Sequence, residues 1–374
     1  MNYQIDLCTD FDKVGEAEAY QFDAIVRNLA VGEWVLSAPT EGLLASDLNA
    51  VDSVLVYNEA GRIVFAGLVR PYDGNEGGTL RTVDAESSTI EFSGVDLWGL
   101  LAMRQVWPDP ANVPPWSVSH DVRTGVASTV CAEFIEANLG ATAVAERAIA
   151  GLEVVDPATG MSSSWSGRLQ PLSEMVANIC RDAGLTCRAE MRTPGVIRFI
   201  IGSPSDQSDR YLFTDQGDLE GVTRLVTPAQ ATYVLGAGQG ELTARAFAVA
   251  SGGQSGLDRV EVVYENTNIT VTGELEAAAA RELSLATAEA SVEAVLSPSA
   301  AQSIDYLDDY NLGDHLGVEI EGVRYAPQVE AVRFSFSPDR QLITPLLGRT
   351  SADPLKRLLS RVSALQTRFD TQIL

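Results

Sequence analysis

Between Tyr310 and Gly348 apolar and polar positions take turns in three runs. Leu316, Val318 and Ile320 alternate with polar or small residues, Glu321-Gly322 can turn the chain, and Val323 and Tyr325 begin a return. Val332, Phe334 and Phe336 alternate next, Pro338-Asp339 closes that run, and Ile343 to Leu347 leads out towards Gly348. A period of two marks half-buried strands. Three of them at hairpin spacing predict an antiparallel meander over one face of a core. The N-terminal stretch follows the same logic. Tyr3, Ile5 and Leu7 alternate, as do Phe22, Ala24 and Val26; Trp34 and Leu36 follow. Val54 to Tyr57 meets Ile63 to Val69 across Asn58-Glu59-Ala60-Gly61, and Ile90, Phe92 and Gly94 end the series. Gly74-Asn75-Glu76-Gly77-Gly78 reads as a turn or loop. The pattern predicts two β meanders, one near each end.

Between them the period changes. Trp107-Pro108-Asp109-Pro110 through Pro114-Pro115-Trp116 is a rigid, extended crossing and marks a boundary. Val126, Val130, Phe134 and Ile135 then recur at helical spacing, ended by Leu139-Gly140. A second helix starts at Pro171, carries Leu172, Met175, Val176, Ile179 and Cys180 on one stripe, and stops at Gly184. Leu185, Cys187, Ala189 and Met191 alternate as a strand, Pro194-Gly195 turns, and Val196 to Ile201 returns. Helix, strand, turn and strand predict a compact α+β insert on its own small sheet.

From about Asp215 the period of two resumes. Ala231 to Leu235 and Leu242 to Ala248 flank Gly236 to Gly240 (GAGQG), and Arg259 to Tyr264 is a further strand. That glycine run resembles a phosphate loop only superficially: no helix follows it, and a hairpin turn explains it. Glu274 to about Ala288 is a helix by propensity. After Asp353-Pro354, Leu355, Leu358, Val362, Leu365 and Phe369 are spaced 3, 4, 3, 4, an a/d seam. A helix of about 20 residues spans roughly 30 Å but is marginal in water by itself. The seam therefore predicts packing: on the chain's own body, on further copies about a symmetry axis, or on the next protein of an assembly.

The fold class expected is α+β, mainly β: two antiparallel β-barrel or sandwich domains with α+β insertions and a C-terminal helix. The segments are 1–105, a first β domain; 106–215, the α+β insert; 216–350, a second β domain with a helical insert at 274–300; and 351–374, the heptad helix. A chain of 374 residues is long enough for two to four such cores.

Composition adds constraints rather than a fold. Hydrophobic residues make up 45%, ordinary for soluble globular protein, and no apolar run reaches the ~18 residues of a membrane helix. The start, MNYQIDLCTDFDKV, has no basic n-region and no apolar h-region, so no secretory signal is expected. A formal charge of −25 argues against duplex nucleic acid as a specific partner. It serves solubility, or else lines a lumen that DNA does not stick to. Lys13 and Lys356 are the only lysines, so 26 − 2 = 24 basic residues are arginine; with abundant alanine this points to a GC-rich genome. Cys8, Cys131, Cys180 and Cys187 form no C-x-x-C pair and read as buried free thiols.

No catalytic constellation is legible. His120 lies in Ser117-Val118-Ser119-His120-Asp121, whose neighbours point in different directions, and His315 sits in a Gly313-Asp314-His315 turn. H-E-x-x-H, G-x-S-x-G and Walker loops are missing. Asp305, Asp308, Asp309 and Asp314 do not match an EF-hand, and carboxylate pairs are uninformative in so acidic a chain. No catalytic, cofactor-binding or metal residue is assigned; the site residues are the seam Leu355, Leu358, Val362, Leu365 and Phe369.

One resemblance covers nearly the whole chain. FDAIVRNLAVGEWVLSAP, IVFAGLV, IEFSGVDLWGLLAMR, SVSHDVRTGVAS, the Arg168 to Gly184 helix and YNLGDHLGVEI, in that order and spacing, resemble the minor tail proteins of siphophages infecting actinobacteria. These are tail-tip hub proteins similar to the baseplate hub of contractile phages and to siphophage tail-associated proteins. The resemblance implies two tube-like β domains with α+β inserts, and a homotrimer whose six β domains form a pseudo-sixfold ring closing the tail tube. It implies a structural, non-enzymatic protein of the virion tail tip, assembled in the host cytoplasm, without cofactor or membrane insertion. Its partners would be the distal tail protein, other minor tail proteins and the C-terminus of the tape-measure protein, with genomic DNA in transit through an acidic lumen. Many relatives continue into a fibre or a peptidase or lysin domain, whereas this sequence stops at Leu374, which leaves receptor binding and wall digestion to neighbours. The rival expectation is a cell-wall hydrolase or carbohydrate-binding module of a tail tip, with a cleft of convergent polar groups between about Val122 and Ser205.

Overall fold

The computed structural model describes residues 3–18, 20–39, 50–70, 81–84, 89–227, 229–240, 242–265, 272–286 and 289–348. The glycine run at 74–78 and the whole heptad seam, Leu355 to Phe369, lie outside the described residues.

The first part of the chain is strand after strand: β1 Gln4–Thr9, β2 Asp12–Ala17, β3 Gln21–Arg27, β4 Ala30–Pro39, β5 Ser53–Tyr57, β6 Ile63–Leu68, β7 Arg81–Asp84 and β8 Thr89–Asp96. The β5–β6 hairpin turns where expected, with Asn58 Oδ1 accepting from the Ala60 and Arg62 amides and Gly61 at φ 73°. In β3, β4 and β8 burial alternates as the sequence predicts. In β5 and β6 both faces are buried. Leu55, Ile63 and Ala66 join a core shared with the helices that follow, while Phe65 meets Phe22 and Phe334 on the other face. Trp34 of β4 is 1% exposed and donates from Nε1 to the Val95 carbonyl at 3.0 Å. It fits because Gly67 has no side chain: a Cβ there would stand 2.5 Å from the indole nitrogen.

A short helix, α1 Gly99–Ala102, leads into the insert: β9 Asp121–Val126, α2 Ala127–Leu139, β10 Leu152–Val155, β11 Ser162–Gly167, α3 Leu172–Ala183, β12 Thr186–Thr193 and β13 Val196–Gly202. The three-stranded sheet runs β10-β13-β12, and β9 pairs with β11 as a ribbon. Pro171 is the extended N-cap of α3 rather than its first turn, and Gly184 ends the helix in the left-handed region at φ 63°, where a Cβ is disfavoured. Cys131, Cys180 and Cys187 are buried free thiols, the first two with sulfurs 3.9 Å apart. The insert does not keep a core to itself. Phe134, Ile135, Met175 and Ile179 pack in one cluster with Leu55, Ile63, Leu68 and Trp98 of the first strands and α1.

Beyond the insert come β14 Leu212–Thr214, β15 Leu219–Thr227, β16 Tyr233–Ala237, β17 Phe247–Ser251, β18 Glu261–Glu265, α4 Thr272–Ala286, β19 Glu289–Leu296, α5 Pro298–Ala301, β20 Gly317–Ile320, β21 Val323–Tyr325, β22 Val329–Phe336 and β23 Gln341–Leu347. The described residues divide into two compact units, one of those up to Val222 together with those from Ala294 onwards, and one within Thr223–Glu293. In the smaller one β17-β16-β18 is a sheet on which α4 packs, with Val234, Ala250 and Ala279 buried between them. GAGQG belongs to the β16–β17 hairpin, as read from sequence. The strand expected over Leu242 to Ala248 is a 3-10 turn, Leu242–Ala244, followed by β17.

Two expectations about pairing are corrected. The strands from Leu316 to Leu347 do not form one meander. β20 pairs with β21 and, in parallel, with β14, whereas β22 pairs with β23 and with β3. Pro327, which has no amide N–H to extend a ladder, separates the two sets. The helical insert expected at 274–300 ends at Ala286, and Glu289–Leu296 is a strand; buried Val292, Ala294 and Leu296 supply the period of two that outweighs helix propensity.

The larger consequence is that strands from the two ends share one twelve-stranded sheet, in the order β15-β19-β23-β22-β3-β4-β8-β6-β5-β1-β2, with β7 also on β8. β3 and β22 carry the join, with Phe22 opposite Phe336 and Ala24 opposite Phe334. Among the described residues the fold is mainly β in several sheets, none closed into a barrel.

Candidate functional site

Most of the residues that could have done chemistry are engaged in local structure. His120 is exposed just ahead of β9, and its neighbour Asp121 pairs with Arg123 at 3.0 Å. His315 Nδ1 lies 2.8 Å from the Ala326 carbonyl in the loop before β20. Three of the four aspartates near 310 are tied down through their carboxylates. Asp308 pairs with Arg62, Asp309 accepts from the Tyr211 hydroxyl and the Asp305 amide, and Asp314 accepts from the Ser205 and Asn311 amides at 2.8 Å each. The bond from Tyr211 is the main reason the Asp309 carboxyl is held below its usual range. Among the described residues no group of three or more His, Cys, Asp or Glu could hold a metal ion.

In the insert, where a cleft was the rival expectation, polar groups pair with one another. Asp156 accepts from Ser128 Oγ and Thr129 Oγ1 at 2.6 Å each, and from the Ala158 amide at 2.8 Å, fastening the loop before β11 to the start of α2. Burial alone would raise its carboxyl, yet these bonds hold it below the ordinary value. Glu190, itself buried, is flanked by Arg192 at 2.8 Å, Arg198 at 3.4 Å and Arg188 at 3.7 Å.

What remains is surface and edge. β2 and β15 end the large sheet, each with a ladder partner on one side only among the described residues. Beside β2 lies an open groove of about 770 Å3 lined by Tyr3, Tyr20 and Tyr57 with Asp6, Glu16 and Glu59. In the smaller unit Phe247 and Val249 of β17 and Val263 of β18 are about half exposed. No described helix is long and apolar enough to cross a membrane.

One buried group has no signal in the sequence. Asp96, the last residue of β8, is 4% exposed and lines a small cavity of about 30 Å3 with Arg27, Arg188, Glu190 and Tyr306. Burial pushes its carboxyl up to about 7, against the pull of the Gly32, Gly99 and Trp98 amides and of Arg27. Sequence reasoning passed over it because an aspartate at a strand end reads as turn chemistry.

A family model described as Siphovirus ReqiPepy6 Gp37-like protein matches residues 9–349. No curated protein sequence matches the chain. Among solved structures, the 43 kDa tail protein of prophage MuSo2 from Shewanella oneidensis superposes with a TM-score of 0.57 at 13% identity, over 92% of this chain and 98% of that one. The prophage tail protein gp18 from Listeria monocytogenes EGD-e gives 0.58 at 11% identity, over 98% and 100%. A tail protein from Neisseria meningitidis MC58 gives 0.54 at 14%, over 92% and 96%. At such identities the likeness is one of fold.

Proposed function

The chain belongs to the Siphovirus ReqiPepy6 Gp37-like family, structural proteins of the phage tail and hence of the virion, and from that premise we propose that it is the tail-tip hub. Three copies form a ring that closes the tail tube, joins it to the tip and gates the DNA exit channel. The observation that carries this reading is the sheet whose two end strands, β2 and β15, are each paired on one side only among the described residues. Such edges invite pairing with another chain, and a head-to-tail contact makes a ring when its rotation closes. Each copy contributes two β parts, one from its first and one from its last strands, joined in one sheet through β3 and β22, and these give the ring its pseudo-sixfold character. The net charge of −25 suits a channel that DNA crosses without binding. Leu355, Leu358, Val362, Leu365 and Phe369 are the proposed contacts between copies on the threefold axis or with a neighbour, the distal tail protein or the tape-measure C-terminus among them.

A cell-wall hydrolase or binding module is disfavoured by the insert, where Asp156 and Glu190 are both taken up by partners of the same insert. The test is the mass of the purified chain by light scattering, with and without residues 351–374. A trimer that needs the tail supports ring and seam together. A trimer without it keeps the hub and moves the symmetry to the β domains. A monomer in both cases removes self-assembly from this chain, and clearing of peptidoglycan in a zymogram overturns the structural reading.

A further inference from the structure

Three parts of the larger unit meet over this small cavity: strands β3, β6 and the end of β8 from the sheet, β12 from the insert, and the loop carrying Tyr306. A space of about 30 Å3 admits one or two waters. Asp96 Oδ1 and Arg188 Nε, both buried and both on residues lining this space, have no hydrogen-bond partner; the Nε is 3.7 Å from Glu190 Oε2. A buried polar atom left unpaired is costly, so two of them on one small cavity mark a place where the structure gains by rearranging. The other charged or titratable groups facing Asp96 are Arg27 from β3, whose Nη1 is held by the Val31 carbonyl at 2.9 Å, Glu190 and Cys187 from β12, and Tyr306 from the loop. β6 and α1 contribute none, and β4 offers the Gly32 amide while its Glu33 is exposed.

We propose that Asp96 is a proton-binding site that controls how the insert sits on the sheet. Protonated, the carboxyl is neutral and tolerates its burial. When it ionises, the proton leaves to solvent and Oδ1 becomes an anion that needs a donor. The guanidinium of Arg188, which lines the same space and whose Nε has no hydrogen-bond partner, can supply that donor directly or through a water, and engaging Asp96 draws it from Glu190. The junction between β12 and β6 is therefore tightest when Asp96 holds its proton. Burial, which pushes this carboxyl up to about 7, puts the exchange in the neutral range.

The sign follows from linkage. An acid that titrates higher in the folded state stabilises it fully below about pH 4, progressively less up to about 7, and no further beyond. The experiment is amide hydrogen exchange on the full chain from about pH 4 to about pH 9, corrected for intrinsic rates, followed at Ile63–Leu68 and Thr186–Thr193. The ratio of wild-type to Asp96→Asn protection in these strands should fall about tenfold per pH unit up to 7 and then level. Arg188→Gln should match wild type in acid and lose further protection above 7, where the anion misses its donor. Protection that tracks pH equally in wild type and Asp96→Asn overturns the proposal. Should Asp96→Asn not fold, the 13C carboxyl resonances of aspartate-labelled wild type decide. One titrating near 7 is expected, and none titrating above the ordinary carboxylate range overturns it.

Discussion

Replacing Phe334 by alanine tests whether the two ends of the chain form one cooperative body. Phe334 is fully buried on β22, with ring centres 5.5 Å from Phe65, 5.8 Å from Tyr306 and 6.1 Å from Phe336. Truncating a buried phenylalanine costs ~3–5 kcal/mol, the aromatic contacts placing this one towards the upper part of that range. About 4 kcal/mol is a large share of the ~5–15 kcal/mol that holds a domain. The assay is urea unfolding followed by tryptophan fluorescence. All five tryptophans (Trp34, Trp98, Trp107, Trp116 and Trp165) lie outside Thr223–Glu293, so the signal reports the larger unit alone. One transition is expected in wild type and one, at lower urea, in Phe334→Ala, with the slope unchanged. Arg333→Ala, one residue away on the exposed face, should shift stability by less than ~0.5 kcal/mol. A loss below ~1 kcal/mol for Phe334→Ala, or a second transition that ignores the mutation, would refute the reasoning that β3 and β22 weld the two ends together.

Gly67→Ala should cost ~2–3 kcal/mol in the same assay, because the new methyl meets the Trp34 indole at 2.5 Å and the core must shift; a neutral effect would mean that Trp34 has room to move. Asp156→Ala removes three hydrogen bonds from the junction of α2 and should cost ~1–3 kcal/mol at neutral pH. Since the folded state holds that carboxyl low, its contribution is present above about pH 4 and fades as pH falls through the folded value, so wild type and Asp156→Ala should converge in acid. Leu358→Asp with Leu365→Asp should abolish self-association by light scattering if the seam joins copies, and a double mutant that still trimerises removes the seam from the interface.

Much of this architecture is written in local pattern. The α3 stripe of Leu172, Met175, Val176 and Ile179 with its Gly184 stop, and the alternation of Val332, Phe334 and Phe336, need no tertiary knowledge. Pairing partners are different. Nothing near Phe22 announces Phe336, since period two fixes which face is buried and not which strand lies alongside. The β19 strand was masked by an Ala- and Glu-rich sequence with good helix propensity, overruled by the buried places of Val292, Ala294 and Leu296. Asp96 was invisible because the space it lines is completed by β12 and the Tyr306 loop, ninety and more residues away in sequence. The charge and the family-like segment order carried the functional reading further than any single residue did.

The join between β3 and β22 also sets a timetable. Ser335 Oγ reaches Asp23 across 312 residues of chain, and closing a loop that long costs ~5 kcal/mol before any contact repays it. During synthesis at about 5–20 residues per second, β3 waits roughly 15–60 s for its neighbour. Through that interval the edge of β3 is open, and its alternation of Gln21, Phe22, Asp23 and Ala24 puts a carboxylate in the middle of the row. An inserted charge on an unpaired edge is a guard against pairing with the wrong chain. Asp23 is thus a gatekeeper while the ribosome works and a ladder partner of Ser335 once it has finished.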